Sequence, residues 1–529
     1  MTGPTQLHPR WILTAVILAS GIVFLDSTIV NVALPRIALD LPTSVVGTLE
    51  GQAYVTSGYL AMLSATLILA GALADRYGRR RVFIIGLVAF GATSALCGLA
   101  PTMELLVVSR LLQGVAGALL VPGPLSIITA TFEGAARARA IGLWSAATSA
   151  LTIIGPLAGG LVVDSLSWRI AFLINVPLVL VALYAAIRYV PESRNPDAPR
   201  RLDWLGSVVI AIAVGGISFG LIRGQEQRWS DPTAMVVLAI GIVAAVAFPV
   251  LMLKRRDPLV PPALFRNRAF TVINISTFLI YGALYISGFL QSVYLQGVLD
   301  YTALGAAALS LPAGILLTLF STRVGVAAAR IGARPFLVVG PLLMAAGMVW
   351  LARVPATSVP WQLDLGTSMA LPPMDVFVDV LPSVLLFGVG ITLVVAPLTT
   401  TLMGSVPVGN AGLGAAINNA VSRVGQPLLL SIIYLAISAV FYASLGALAP
   451  GLDTGSDMVR SAIQPLNPPP AGADPVTALA VDQASTDAFR IAMLLVSVLL
   501  VAGAVVNGLG LRKDAPAPVQ APDQPGVAA

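Results

Sequence analysis

Few residues in this 529-residue chain can do acid–base or redox chemistry, and that scarcity sorts the candidates. There is one histidine, His8, and one cysteine, Cys97, which excludes a disulfide within the chain and a multi-cysteine zinc or iron–sulfur site. Asp26 stands near the middle of an apolar stretch from Trp11 to Leu34. An acid at the centre of a bilayer costs on the order of 3 kcal/mol or more, so such residues face a cavity or a partner. Desolvation favours the neutral form of a carboxyl, and an approaching cation favours the ionised form. A carboxyl so placed can load a proton facing one side of a membrane and release it facing the other. The structural alternative is an Asp that only caps or hydrogen-bonds a neighbouring helix.

Arg110, about one turn into a second apolar stretch, is the natural counter-charge. Arginine keeps its proton, so it must be paired or hydrated, and snorkelling to the interface is the other reading. Arg423, in Asn418-Asn419-Ala420-Val421-Ser422-Arg423, has a similar position, with snorkelling and helix-end packing equally open. Further polar and aromatic side chains are candidates to line a cavity for amphipathic ligands: Asn31, Gln113, Asn274, Tyr281, Tyr285, Gln291, Asn418 and Asn419. Tyr294 belongs with them, although tyrosines near span ends equally suit an interfacial belt.

The elements that must hold these residues are membrane helices. The chain is 57% hydrophobic and 10% charged, with a mean hydropathy of +0.91, against about 25% charged residues in soluble domains. A net charge of +6 spread in small groups between apolar runs argues for a bilayer and against nucleic acid as the partner. About 20 apolar residues cross a bilayer core, and fourteen such runs lie near 12–34, 47–70, 82–100, 105–126, 140–163, 170–189, 204–222, 233–253, 269–296, 303–322, 335–352, 379–402, 411–443 and 487–510. The first is too long for a signal-peptide core and reads as a span. On alternate connections the basic residues divide 21 to 7, with Arg110 and Arg423 inside spans. The positive-inside rule then predicts an even helix count and two cytoplasmic termini, in a multi-pass protein of a bacterial cytoplasmic (inner) membrane.

The expected organisation is a cytoplasmic tail at 1–10, six helices over 11–190, a linker with two inserted helices over 191–268, six helices over 269–511, and a disordered cytoplasmic tail at 512–529. Pro- and Gly-rich outer loops are expected at 353–378 and 446–486. The connection Gly71-Ala-Leu-Ala-Asp75-Arg76-Tyr-Gly78-Arg79-Arg80-Arg81 has a degenerate echo, Ala329-Arg330-Ile-Gly332-Ala-Arg334, after the tenth span. Topology alone accounts for the arginines; Asp75 needs another reason, a pairing with a nearby arginine or a place at a helix N-terminus. Gly155-Pro156-Leu-Ala-Gly159-Gly160 combines a kink with small residues, and both a hinge and close packing fit it.

These motifs together resemble the major facilitator superfamily, and within it the fourteen-helix drug:proton antiporter family. Leu25-Asp26-Ser27-Thr28-Ile29-Val30-Asn31-Val32-Ala33-Leu34-Pro35 is similar to that family's first-helix signature, and Gly71 to Arg80 to the superfamily's gating loop. Leu106-x-x-x-Arg110-x-x-Gln113-Gly114 resembles the fourth-helix motif associated with proton transfer, Gly155 to Gly160 the antiporter motif, and Trp168-Arg169-x-x-Phe172-x-Ile174-Asn175-Val176-Pro177 the entry to the sixth span. Two departures stand out: Leu151 where the antiporter motif usually has another glycine, and Ala329 where the second loop would carry an acid. The likeness implies an all-α integral membrane protein of two six-helix bundles, with the seventh and eighth of 14 transmembrane helices inserted between them.

The expected activity is a proton-coupled antiport that exports small lipophilic neutral or monocationic compounds by alternating access. It needs no cofactor beyond a proton gradient, since no Gly-x-x-x-x-Gly-Lys loop is present, and it needs no second copy of the chain. Asp26 would carry the proton, Arg110 modulate it, and the Asp75 loop act as a latch. A lipid or glycolipid exporter of the same fold is the main alternative. A membrane-embedded lipid-modifying enzyme would need a catalytic constellation that the outer-loop acids, Asp364, Asp375, Asp453 and Asp457, do not supply by spacing.

Overall fold

In a computed structural model, the chain is described at residues 8–43, 46–194, 202–363, 371–406 and 411–511. Most of the expected N-terminal tail, the C-terminal tail from Arg512, and Arg200, Arg201 and Asp364 lie outside these residues. The helices run, in order, α1 (Pro9–Asp40), α2 (Thr48–Tyr77), α3 (Arg79–Gly98), α4 (Met103–Leu120), α5 (Gly123–Thr131), α6 (Gly134–Ser165), α7 (Trp168–Leu173), α8 (Asn175–Tyr189) and α9 (Trp204–Glu226). They continue with α10 (Pro232–Lys254), α11 (Arg268–Gly297), α12 (Ala303–Ala308), α13 (Leu311–Ile331), α14 (Arg334–Leu351), α15 (Leu381–Gly404), α16 (Ala411–Leu448), α17 (Asp457–Ala462) and α18 (Pro475–Gly510).

Helix is the form in which an apolar segment satisfies its own backbone groups away from water. Among the described residues, thirteen helices or kinked pairs are long and apolar enough to cross a membrane. The remaining run expected from the sequence falls in α6, whose apolar described part is Ile154–Ser165. Three expected spans are broken. The α4–α5 break comes at Val121–Pro122, where Pro122 and Pro124 withhold backbone donors; α7 and α8 part at Ile174, and α12 and α13 part at Leu309–Ser310, before Pro312. Side chains hold the entries: Thr102 Oγ1 accepts from Leu105 N, Asp203 from Gly206 N, Asp231 from Thr233 N and Thr302 from Gly305 N.

The spans gather in two groups, α1 to α8 and α11 to α18. Between them α9 packs against α2 of the first group and α16 of the second, and α10 packs chiefly on α9. Small residues allow that hairpin its closeness: a Cβ on Gly216 would stand 2.9 Å from Gly241 Cα. The long α10 is otherwise exposed along most of its length, as a helix facing lipid would be.

Helix α1 passes from the end carrying the Asp75–Arg81 connection, the loop end, to the opposite, far end, and α2 returns from the far end to the loop end. Among the described residues, five hydrogen bonds join the two groups at the far end. Ser292 Oγ donates to the Asn31 carbonyl (2.7 Å) and Gln296 Nε2 to that of Val32 (3.1 Å). Asp164 accepts from Ala303 N (3.2 Å) and Leu304 N (2.8 Å), and Gln464 Oε1 from Leu49 N (3.0 Å).

Candidate functional site

The first-group helices converge on Asp26. Its carboxylate is wholly buried and ion-paired with Arg110, which is 1% exposed (Nη1 to Oδ2, 2.5 Å). Arg110 therefore does not snorkel. The other oxygen, Oδ1, accepts from Gln113 Nε2 (3.0 Å) and Asn175 Nδ2 (3.2 Å). Gln113 stands one turn beyond Arg110 on α4 and returns its own Oε1 to Arg110 Nη1 (2.8 Å), with the Cys97 thiol at 3.4 Å. Arg110 Nε donates to the Val55 carbonyl (3.1 Å), and the guanidinium lies over the Tyr59 ring at 4.1 Å. Asn175 is steadied by Ser94, whose hydroxyl donates to the Phe172 carbonyl (2.8 Å).

One carboxylate thus accepts three donors in a buried pocket built from α1, α2, α3, α4, α7 and α8. Such an arrangement suits an anion and disfavours any neutral replacement, because a buried donor without an acceptor costs about 1–3 kcal/mol. Sequence reasoning singled out Asp26, Arg110 and Gln113 and missed the positioning by Asn175 and Ser94. Asn175 lies 149 residues from Asp26, and an amide within an apolar run carries no signal of what it faces.

The Gly155–Gly160 segment is packed tightly. A Cβ on Gly155 would stand 2.4 Å from Thr28 Oγ1, one on Gly159 3.0 Å from Ile29, and one on Gly160 2.6 Å from the Leu304 Cα. The first two therefore seat α6 on α1, the Asp26 helix, and the third seats it on α12 of the other group. Pro156 lies between them, partly buried. Where the motif departs at Leu151, that side chain fills the space over Gly21 of α1.

At the loop end Asp75 pairs with Arg79 (Nη2 to Oδ1, 2.9 Å), which also reaches the Ser126 carbonyl (3.3 Å). Arg80 donates to the carbonyls of Ala186 (3.2 Å) and Ile187 and, through its backbone, to Glu192 (3.2 Å). Gly78 takes a φ of +117° with Glu192 against it, which requires a residue without Cβ. The echo loop repeats this feature with Gly332 at φ +91°, and Arg334 there reaches the Gly508 carbonyl (2.9 Å). Gly71 is unconfined, with its nearest neighbour 4.0 Å from a built Cβ, and Arg76 is exposed beside Tyr77.

The polar candidates of the second group do not form one cluster with Asp26. Asn418 donates to Asn274 Oδ1 (3.2 Å) and to Thr277 (2.9 Å), and Tyr281 and Tyr285 stand as a tilted pair 6.5 Å apart. Asn31 and Gln291 are partly buried, and Asn419 is exposed. Arg423 is 5% exposed, so it too is held within the protein and does not snorkel. Tyr294 is a correction: it stacks on Phe489 at 3.9 Å and meets Thr486 inside the second group, where the flat ring adds to the core.

The Major Facilitator Superfamily matches residues 16–430. The "Multidrug resistance protein Stp" of Mycobacterium tuberculosis is 31% identical over 424 residues, covering 80% of this chain and 75% of that one. The "Puromycin resistance protein pur8" of Streptomyces alboniger is 32% identical over 448 residues, covering 82% and 84%. The "Tetracenomycin C resistance and export protein" of Streptomyces glaucescens is 32% identical over 421 residues, covering 79% and 73%. Among solved structures, an inward-facing, occupied bacterial homologue of the human lysosomal transporter Spinster aligns over 96% of this chain and 97% of its own, with a TM-score of 0.62 at 15% identity. An auto-inhibited POT family peptide transporter aligns over 94% and 96%, with a TM-score of 0.61 at 16% identity, and these two likenesses speak to the fold. From the match along most of its length, the two-group helical fold and relatives named for drug and antibiotic resistance, this chain is a multi-pass membrane transporter belonging to the Major Facilitator Superfamily.

Proposed function

We propose that this transporter is a proton-coupled antiporter of the fourteen-helix drug:proton type, exporting small lipophilic neutral or monocationic compounds from the cytoplasm. The observation that carries the proposal is the Asp26 pocket. A proton and Arg110 compete for the same carboxylate: in the closed network Oδ2 is taken by Arg110 and Oδ1 by two amide donors. A proton on Oδ1 displaces one of its two amide donors, and a proton on Oδ2 removes the charge that holds Arg110, so either weakens the network. Proton uptake is thereby tied to movement of α1 against α4 and α8, and through Gly155 and Gly159 to α6.

The supporting relatives are named for resistance to drugs and antibiotics, one of them for export. The bundles divide at 11–190 and 269–511, with α9 and α10 as the insertion, both termini face the cytoplasm, and a single chain suffices. On this reading the loop end is cytoplasmic, and the far-end bonds close the outer side. Asp75 and Arg79 then form a cytoplasmic latch. Inverted vesicles test the reading: an imposed pH step that makes the lumen acid, so that protons run outward, drives uptake of dye or antibiotic by the wild type and not by Asp26→Asn. Gradient-driven uptake by that variant overturns the assignment. Export of lipid in place of drugs would show instead as an altered lipid composition in a deletion strain whose drug sensitivity is unchanged.

A further inference from the structure

A second buried ionisable cluster lies at the far end, outside the Asp26 network. Glu50, in the first turn of α2, is wholly buried. Its Oε2 accepts from Gly47 N (2.9 Å) and stands 3.5 Å from Arg223 Nη1 of α9, whereas its buried Oε1 makes no hydrogen bond. Glu226, the last residue of α9, accepts from the Tyr434 hydroxyl of α16 (2.7 Å). Its Oε1 would lie 2.6 Å from a Cβ on Gly47, so two acidic side chains converge on one stretch of backbone.

The charges around them do not balance. Arg223 also serves Asp231 at the head of α10 (Nε to Oδ2, 3.1 Å). The Thr233 backbone N–H above all, and Arg223 with it, holds Asp231 below the ordinary carboxylate range, so that acid stays charged and keeps its share of the guanidinium. Arg460 of α17, held over the Tyr442 ring at 4.0 Å and by the Thr454 carbonyl (2.8 Å), acts on Glu226, and Arg228 pairs with Asp457 at the rim. Glu50, Glu226 and Asp231 therefore share two guanidiniums, those of Arg223 and Arg460, which leaves one carboxylate in excess. Like charges so placed share a proton rather than ionise together.

We propose that Glu50 and Glu226 bind one proton between them, forming a second proton site at the far end that clamps α2, α9 and α16 together. Two of these helices come from opposite groups and the third from the inserted pair, so the site spans the seam that must part for the far end to open. The Leu49–Gln464 bond extends it to the segment after α17. Without the proton, repulsion between Glu50 and Glu226 loosens the seam. The site stands apart from Asp26 and does not rest on its role.

Hydrogen–deuterium exchange of the full chain in lipid nanodiscs, corrected for intrinsic rates, tests the proposal on peptides covering 46–54 and 460–467. In the wild type, opening at these peptides rises with pH, by as much as about tenfold per pH unit once the shared proton leaves. Glu50→Gln and, as a second variant that keeps an acceptor for Tyr434, Glu226→Gln each leave one buried carboxylate beside Arg223. Both stay closed and flat with pH, while Asp26→Asn keeps the wild-type response. A flat wild-type profile, a wild-type slope in both glutamine variants, or loss of the response in Asp26→Asn overturns the proposal.

Discussion

Breaking the Asp26–Arg110 pair from one side leaves the other charge buried and uncompensated. The three bonds to Asp26 set the magnitude. In Asp26→Asn the amide oxygen serves either Arg110 or the Gln113 and Asn175 donors, and the new NH2 group then faces the other set as donor against donor. Gln113 cannot flip to help without withdrawing its oxygen from Arg110. Removing one member of a buried pair costs about 3–5 kcal/mol, and Arg110→Gln, which strands the carboxylate, falls in the same range. The double variant Asp26→Asn, Arg110→Gln strands no charge and should lose much less than the sum, with a coupling energy of about 2–3 kcal/mol. Reversible unfolding by SDS in mixed micelles supplies the three differences. If the single losses add to within about 0.5 kcal/mol of the double, the two side chains are not coupled and the network reasoning fails.

Other outcomes follow from contacts elsewhere. Gly160→Val drives a side chain into the Leu304 backbone and should shift the population away from the far-end-closed form; cysteine cross-linking between α6 and α12 that stays at wild-type yield contradicts this. Asp75→Asn removes a half-exposed pair on one helix–loop–helix corner, worth about 0.5 kcal/mol or less, so transport should change while unfolding moves little. Asp474 caps α18 through Val476 N and Thr477 N (both 3.0 Å), and the Thr477 hydroxyl and backbone hold it below the ordinary carboxylate value. Its contribution is complete above the unfolded-state value and is lost as pH falls through the lowered folded value. Exchange at residues 475–480 should therefore quicken only in strong acid, and Asp474→Ala should quicken it already at neutral pH.

The membrane helices were legible because an apolar run of sufficient length has one stable form in lipid, and Asp26 and Arg110 because a charge in such a run needs an explanation. The breaks at Pro122 and before Pro312 were written in proline, but hydropathy averages over them. The start of α18 at Pro475, well before the apolar run near 487, escaped because Asp482, Gln483 and Asp487 make its first turns polar. Glu192, which backs Gly78, and the Glu226–Tyr434 bond, 208 residues apart, were invisible for the reason that hid Asn175: pairings across helices depend on which faces meet. Glu50 stands at the start of an apolar run, where position alone does not reveal burial, and it is wholly buried because α9 and the segment around Gln464 cover the head of α2.

The central claim is that Asp26 exchanges a proton during transport. It is tested most directly by counting protons released when substrate is added to purified protein in weakly buffered solution with a pH indicator. The wild type should release protons in proportion to substrate bound, and Asp26→Asn should bind substrate and release fewer by one per chain. Equal release from both would place the exchanging group elsewhere.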